Sequence, residues 1–364
     1  MAATTSQNAS ALRRGWTTGA CATAATRAAC MALVTGAFPD PVEITLPRGE
    51  RPAFPLALEE AGEGWARAGI VKDAGDDPDV THGALVVATL RHGRRGEGVT
   101  FKAGEGVGTV TRPGLPVAPF EPAINPVPRN MMREAVEAVA LAHRVAPDFE
   151  VEISIPGGEA LAEKTWNPRL GIKGGLSILG TTGIVHPFSC SAWIHAIHSG
   201  IDVARAGGLT HLAGATGSTS EAAVKKLYGL EEQALIDMGD FVGGMLKYLR
   251  AHPVPRVSVA GGFAKMTKFA QGRLDLHSGR SQVDFDWLGE RLHEAGGGAD
   301  LCDAARRAGT ALEVLQAARA QGVDIAGVVA RHAMNTATST LRGAPIDVDI
   351  VVVDRQGEVI ARAR

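Results

Sequence analysis

The sequence predicts an α+β N-terminal domain followed by an α/β C-terminal domain built on a Rossmann-like layer. Three observations carry that prediction. The chain has 364 residues, too many for one ordinary core and enough for two. Its first half reads as short β-like segments punctuated by Gly, Pro and Asp, with few helices between them. From about residue 186 strands alternate with helices instead, the pattern of a parallel layer. The expected organisation is a flexible tail over 1–11, the α+β domain over 12–185 and the α/β domain over 186–364.

Met1 to Ala11 is small and polar, with neither the cationic start nor the apolar stretch of a secretory leader, and is expected to be loose. Ala20 to Val34, rich in Ala, Cys and Thr, reads as a helix with Thr18 near its N-cap, ended by Gly36 and Pro39. Such small side chains let a neighbouring element lie close. β-like segments follow at Val42–Leu46, Pro55–Glu59, Trp65–Val71, Ala84–Leu90 and Val99–Ala103. Asn130 is expected to cap a helix from Met131 to about Arg144, and Val151–Ile155 to form a strand closed by Pro156-Gly157-Gly158.

In the second half, strand Leu209–Ala213 leads through Gly214-Ala215-Thr216-Gly217 into a helix from Ser220 to Tyr228. Val257–Ala260 repeats the scheme through Gly261-Gly262 into a helix running past Lys265 to Ala270. One long helix, Glu231 to Leu249, is expected between them. Helices at Asp286–Glu294, Leu301–Gln321 and Ala326–His332 precede a final strand pair, Val348–Val353 and Val359–Arg362.

Composition narrows the function classes. Thirty-seven basic against 39 acidic residues leave a net charge of −2, so no general field draws the chain to nucleic acid or an anionic membrane, and neither is an expected partner. An anionic ligand would have to be held locally by Arg, Lys and backbone N–H groups. Forty-five glycines imply many places where backbone approaches something closely. The four cysteines, Cys21, Cys30, Cys190 and Cys302, form no CxxC pair, which fits a reduced, cytoplasmic setting. No apolar run approaches the roughly 18–20 residues of a membrane helix.

Four Gly-rich, polar segments could carry chemistry. Arg14-Gly15-Trp16-Thr17-Thr18-Gly19-Ala20-Cys21 opens the first helix, where N–H groups and the dipole favour a carboxylate, although an ordinary capping turn reads the same. Lys72 to Thr81 holds four aspartates in seven residues, Asp73, Asp76, Asp77 and Asp79. It fails as an EF-hand, because Pro78 and Ala84 stand where Gly and Glu belong, and a solvated Asx-turn loop is the plainer reading. Gly104-Glu105-Gly106-Val107-Gly108 is followed by a β-like segment rather than a helix, so the dinucleotide context is missing and a hairpin or ligand-facing turn fits better. Trp166 to Val185 places five glycines among hydroxyls and two cations, a backbone cradle or a pair of short strands.

Metal and covalent chemistry have less support. His195 and His198 share a helix face, with His186 and Cys190 upstream, but no second paired motif completes a zinc site and no protein-bound metal is expected. GxSxG, HExxH and Walker A sequences are missing from the chain.

In their order, these segments resemble the cobalt-precorrin-5B C1-methyltransferase family of the anaerobic cobalamin pathway. The resemblance runs through Leu12 to Ala22, Lys72 to Asp79, Gly106-Val107-Gly108, Ala123-Ile124-Asn125-Pro126-Val127-Pro128, and Arg169-Leu170-Gly171-Ile172 to Thr181-Thr182-Gly183. It covers essentially the whole chain after residue 11. One departure is visible: where family members often carry Gly-His-x-Gly-Lys, this chain has Gly261-Gly262-Phe263-Ala264-Lys265, so the first histidine is missing while Lys265 and the downstream His277 remain.

The resemblance implies methylation of C1 of cobalt-precorrin-5B to cobalt-precorrin-6A. S-adenosylmethionine would be the methyl donor and an anionic tetrapyrrole the acceptor. It also implies a fold other than that of the common tetrapyrrole methyltransferases. Under it, Thr17 to Cys21 and Gly174 to Gly183 would form a ligand cradle between domains. Asp73, Asp76 and Asp77 are the catalytic candidates, able to hold the cofactor or assist proton removal. Cofactor contacts are expected at Thr17, Thr18, Gly19, Cys21, Gly104, Gly106, Gly108, Gly180, Thr181 and Thr182. Gly214 and Gly217, at a strand-to-helix turn, offer an alternative cofactor site. Arg14, Asn125, Arg169, Lys173 and Lys265 would take the substrate. Two other readings stay open: a non-catalytic tetrapyrrole carrier, and a nicotinamide-dependent oxidoreductase, for which the expected acidic residue about 20 positions after a GxGxxG turn is not evident. The oligomeric state is not fixed, and a homo-oligomer is among the arrangements allowed.

Overall fold

The structure, a computed structural model, describes residues 12–364, so the tail expected over 1–11 lies outside the described residues. The chain divides into two compact units, one ending at Cys190 and one running from Ser191 to Arg364.

In the first unit, β1 (Gly15–Trp16), α1 (Thr18–Thr35), β2 (Val42–Glu43), β3 (Ala53–Phe54), β4 (Leu58–Gly62), β5 (Trp65–Val71), β6 (Leu85–His92), β7 (Val99–Ala103) and β8 (Thr109–Val110) come first. α2 (Pro126–His143), β9 (Phe149–Ser154), α3 (Gly158–Ala162), β10 (Ile172–Lys173) and β11 (Ile184–Val185) complete it. One five-stranded sheet, ordered β4-β5-β6-β9-β7, is antiparallel except for the β7–β9 pair. α1 and α2 cover one face of it, with Ala25, Ala29, Met132 and Val136 in the same core as Ile70, Leu90 and Val151. Ala, Cys and Thr let α1 lie close to its neighbours: a Cβ on Gly19 would sit 2.8 Å from Cγ of Pro128 in α2.

The start of α1 is close to expectation and that of α2 differs from it. Thr17, next to Thr18, caps α1, its Oγ1 accepting from the Ala20 N–H at 3.2 Å. α2 begins at Pro126 after Asn125 rather than at Met131 after Asn130. Proline read as a breaker, yet in a first helical turn its missing N–H is one the helix does not use.

The second unit holds α4 (Cys190–Ala206), which begins at the boundary, β12 (His211–Ala215), α5 (Ser218–Tyr228), β13 (Leu235–Asp237), α6 (Val242–Ala251), β14 (Arg256–Gly262) and α7 (Phe263–Ala270). α8 (Phe285–Glu294), α9 (Ala299–Arg306), α10 (Ala311–Ala320), α11 (Ile325–Leu341), β15 (Asp347–Val353) and β16 (Val359–Ala363) follow. The sheet is ordered β13-β12-β14-β15-β16, parallel except for the β15–β16 edge. This is a doubly-wound layer whose direction of winding reverses between β12 and β14.

Two expected helices break here. The helix read over Glu231–Leu249 is a 3₁₀ turn (Glu232–Ala234), then β13, then α6. Buried Leu235 and Ile236 pair in parallel with Ala213 and Gly214 of β12, and Gly239 at φ 52° turns the chain before α6. The helix read over Leu301–Gln321 is α9 and α10, because Thr310 caps a new start by accepting from the Glu313 N–H at 3.3 Å. Conversely, Ala326–His332 is only the first part of α11. Among the described residues no helix is long and apolar enough to cross a membrane.

Candidate functional site

Three of the predicted segments converge in the first unit. β1 pairs with β11, Gly15 opposite Val185 and Trp16 opposite Ile184. The Thr17 N–H donates to the Gly183 carbonyl at 3.0 Å, and the Gly19 N–H to the Leu179 carbonyl at 3.0 Å. Thr18 Oγ1 donates to that same carbonyl at 3.2 Å and accepts from the Leu179 N–H at 3.1 Å. On the other side, the Trp16 N–H donates to the Asp73 carbonyl at 2.7 Å and the Asp76 N–H to the Arg13 carbonyl at 3.0 Å. A Cβ on Gly15 would collide with the Ala74 carbonyl, so that position admits only glycine at this spacing.

The acidic loop is held by protein groups. The Arg13 guanidinium grips Asp73 with two nitrogens, the second at 2.9 Å, and its backbone N–H donates to Asp76 Oδ2 at 2.6 Å. Asp77 Oδ1 accepts from the Phe188 N–H at 2.8 Å. Hydrogen bonding from Arg13, helped by the Gly75 N–H, holds the Asp73 carboxyl down at about 2, so it is a weak base at neutral pH. Cys21 is fully buried, and burial pushes its thiol up to about 12, leaving no thiolate.

These contacts correct one expectation. Three of the N–H groups at the start of α1 are not free for a carboxylate, since Gly19 donates to Leu179, Ala20 to Thr17 Oγ1 and Cys21 to the Thr17 carbonyl. At Gly104, Gly106 and Gly108 the nearest atoms to a side chain would belong to Ser154, Ile155 and Ile172, so their closeness serves packing within the unit. The Asn125 N–H donates to the Ile178 carbonyl at 2.9 Å. Arg14, Lys173 and Thr181 are exposed beside this assembly's chain segments, with Gly180 and Thr182 half-buried. Arg169 lies over the Trp166 ring, 5.4 Å from its centroid.

The second unit carries a separate candidate. A cavity of about 660 Å³ opens at the carboxyl ends of β12, β14 and β15, walled by the starts of α5 and α7, by α10 and by the turn after β15. Ligands of doubly-wound sheets bind at such a reversal of winding. Lys265 Nζ donates to the Thr216 carbonyl at 3.1 Å and pairs with Asp240 at 3.0 Å, tying the β12 turn to α7. Gly217 borders this cavity, with open space where a Cβ would point. Gly214 does not; its Cβ would strike Met245 in the core.

Breaking the expected long helix exposes a residue that the sequence reading missed. Asp237 ends β13, the parallel neighbour of β12, and stands 20 residues after Gly217. That is the place from which doubly-wound nucleotide sites reach a ribose. The signal was Leu235-Ile236-Asp237 followed by Gly239, a short apolar run closed by a turn residue. His198 stacks on Tyr248 at 3.9 Å between centroids, and among the described residues no group of three or more His, Cys, Asp or Glu is placed to hold a metal.

Comparison with known proteins bears on both units. The family model described as CbiD matches residues 5–187, and the one described as CbiD, C-terminal domain, matches residues 275–364. A protein of Paramagnetospirillum magneticum named cobalt-precorrin-5B C(1)-methyltransferase is 64% identical over 353 residues, 97% of this chain and 98% of that protein. One of the same name from Brucella canis is 62% identical over 351 residues, 96% of this chain and 95% of that protein. A crystal structure of the cobalamin biosynthesis protein cbiD from Archaeoglobus fulgidus is 27% identical, covers 69% of this chain and 77% of its own, and superposes with a TM-score of 0.39. With matches of this identity along almost its whole length, the chain belongs to the CbiD family.

Proposed function

We propose that this chain transfers a methyl group from S-adenosylmethionine to C1 of cobalt-precorrin-5B, giving cobalt-precorrin-6A in cobalamin biosynthesis. The observation that carries the proposal is the 64% identity to a relative of that name over 97% of the chain. Attack of a carbon on a sulfonium methyl is an in-line displacement. It needs the two carbons brought to roughly 3–3.5 Å, and positioning supplies much of the rate. A strong protein base is not required, which agrees with an Asp73 carboxyl held at about 2.

On this reading Asp73, Asp76 and Asp77 position the segments around Arg14 and Phe188 instead of moving protons. Arg14, Arg169 and Lys173 meet acetate and propionate groups of the macrocycle, as cations suited to carboxylates. Lys265 fixes the turn that precedes α5. The fold is read as distinct from that of the common tetrapyrrole methyltransferases.

The test is turnover with enzymatically prepared cobalt-precorrin-5B and methyl-labelled S-adenosylmethionine. Label at C1 by carbon NMR is the expected result. Tight macrocycle binding with no transfer would overturn the proposal in favour of a tetrapyrrole carrier.

A further inference from the structure

We propose that the cavity over the carboxyl ends of β12 and β14 is a carboxylate-binding pocket serving the methyl transfer. The inference rests on that activity for its ligands, and on the cavity's own walls for its chemistry. Its volume, about 660 Å³, is in the range of small-molecule sites.

Two helices begin in its wall, α5 after Gly217 and α7 after Gly262, and neither has a side-chain N-cap. Each therefore presents first-turn N–H groups and a positive dipole end to whatever fills the space. The same wall contains Thr216, only 9% exposed, whose carbonyl is taken by Lys265. Its hydroxyl has no hydrogen-bond partner among the described residues. A hydroxyl on the lining of a cavity with no protein partner is placed to meet a ligand's oxygen. Arg355 adds positive charge at the mouth, while Arg319 pairs there with Asp354 at 3.8 Å, whose carboxylate also accepts from the N–H groups of Gln356 and Glu358, at 3.0 and 2.9 Å.

Hydroxyl, amide N–H groups and guanidinium together recognise an oxyanion. In the proposed reaction that oxyanion has two sources: the α-carboxylate of the methyl donor, or an acetate or propionate of the macrocycle. Calorimetric titration of the full chain separates them. The probes are S-adenosylhomocysteine, methylthioadenosine (which lacks the carboxylate), a cobalt corrin bearing free carboxylic acids, and its full methyl ester. The variants are Thr216→Val, which removes the hydroxyl at constant shape, and Arg355→Gln, on an exposed turn where folding is not at stake.

If the donor's carboxylate is bound, both variants weaken S-adenosylhomocysteine, about tenfold for Thr216→Val, and leave methylthioadenosine unchanged. Macrocycle binding predicts the same contrast between the free acid and its ester. Either contrast supports the pocket. Unchanged affinities for all four probes in both variants overturn it, while label transfer by the wild-type chain leaves the methyltransferase reading standing. A wild-type chain that binds none of the probes and transfers no label overturns both.

Discussion

Lys72 is 1% exposed, and its ammonium donates to Asp79 Oδ2 at 2.5 Å in the loop that follows β5. Asp79 completes its shell with the Thr81 N–H at 2.8 Å and the Thr81 hydroxyl at 2.6 Å. Burial alone would raise the Asp79 carboxyl, but the charge and hydrogen bond of Lys72 outweigh it and hold the group below its usual range. Removing the anion strands a fully buried cation, whereas removing the cation leaves a partly exposed carboxylate that Thr81 still holds. Asp79→Ala should therefore destabilise the chain by about 3 kcal/mol, and Lys72→Met by less. Urea unfolding of both variants checks the asymmetry.

Asp73 is a clamp in this structure, and its variants should behave as a clamp's. Solvent reaches both Arg13 and Asp73, so their ion pair contributes little to stability. Because the folded carboxyl is depressed to about 2, that contribution is present above about pH 4 and is lost as pH falls toward 2. Asp73→Asn should lower turnover severalfold without shifting the pH profile between 6 and 9. A profile that moved would mean that Asp73 carries a proton. Gly15→Ala is the severe counterpart, since its methyl meets the backbone of Ala74, and loss of about 3 kcal/mol is expected.

How much of this was legible in the chain follows from what each feature depends on. Strands β5, β6 and β7 and the strand–turn–helix steps at β12–α5 and β14–α7 show in local pattern, and the structure has them close to where they were expected. β13 was not legible, because Leu235-Ile236-Asp237 becomes a strand only by pairing with β12. The order of the motifs gave no hint that Arg13 grips Asp73 or that the Gly183 carbonyl accepts from Thr17. Backbone N–H groups carry no signature in the sequence, so the Gly19 amide looked available until Leu179 was seen to accept it. Glycine likewise marks close approach without saying to what: Gly214 faces Met245, and Gly217 faces a cavity.

His211 gives a pH-dependent stability. Burial, with the charges of Arg256 and Arg364, lowers its imidazole to about 4. Its ring Nε2 lies 2.8 Å from Ser258 Oγ, which donates to Asp349 at 3.2 Å, and Tyr228 packs against the ring edge. The unfolded chain binds this proton near pH 6.5 and the folded chain does not, so stability is full above 6.5 and falls as pH drops toward 4. His211→Gln should flatten that limb. Asp349, which burial holds above its usual range, titrates in both proteins and drops out of their difference. Thermal melts at pH 5 and pH 7.5 check it; an equal loss on acidification in both chains would show that His211 does not titrate as described.

Two glycines three residues apart give opposite outcomes if the second unit's cavity is functional. Gly214→Ala drives a methyl into Met245 and Met238 inside the core, where overpacking costs about 1–3 kcal/mol. Its melting temperature should fall, and its affinity for S-adenosylhomocysteine should be unchanged in the fraction that folds. Gly217→Ala meets no atom within 4 Å, and its backbone at φ 165° is extended and open to any residue. Stability should hold within about 0.5 kcal/mol. The added methyl, however, takes up open space at the border of the cavity, so kcat/KM should fall severalfold. Melting curves and label-transfer kinetics on the two variants separate a packing glycine from one that leaves room for a ligand, and full activity in Gly217→Ala would remove the cavity's entrance from the reaction.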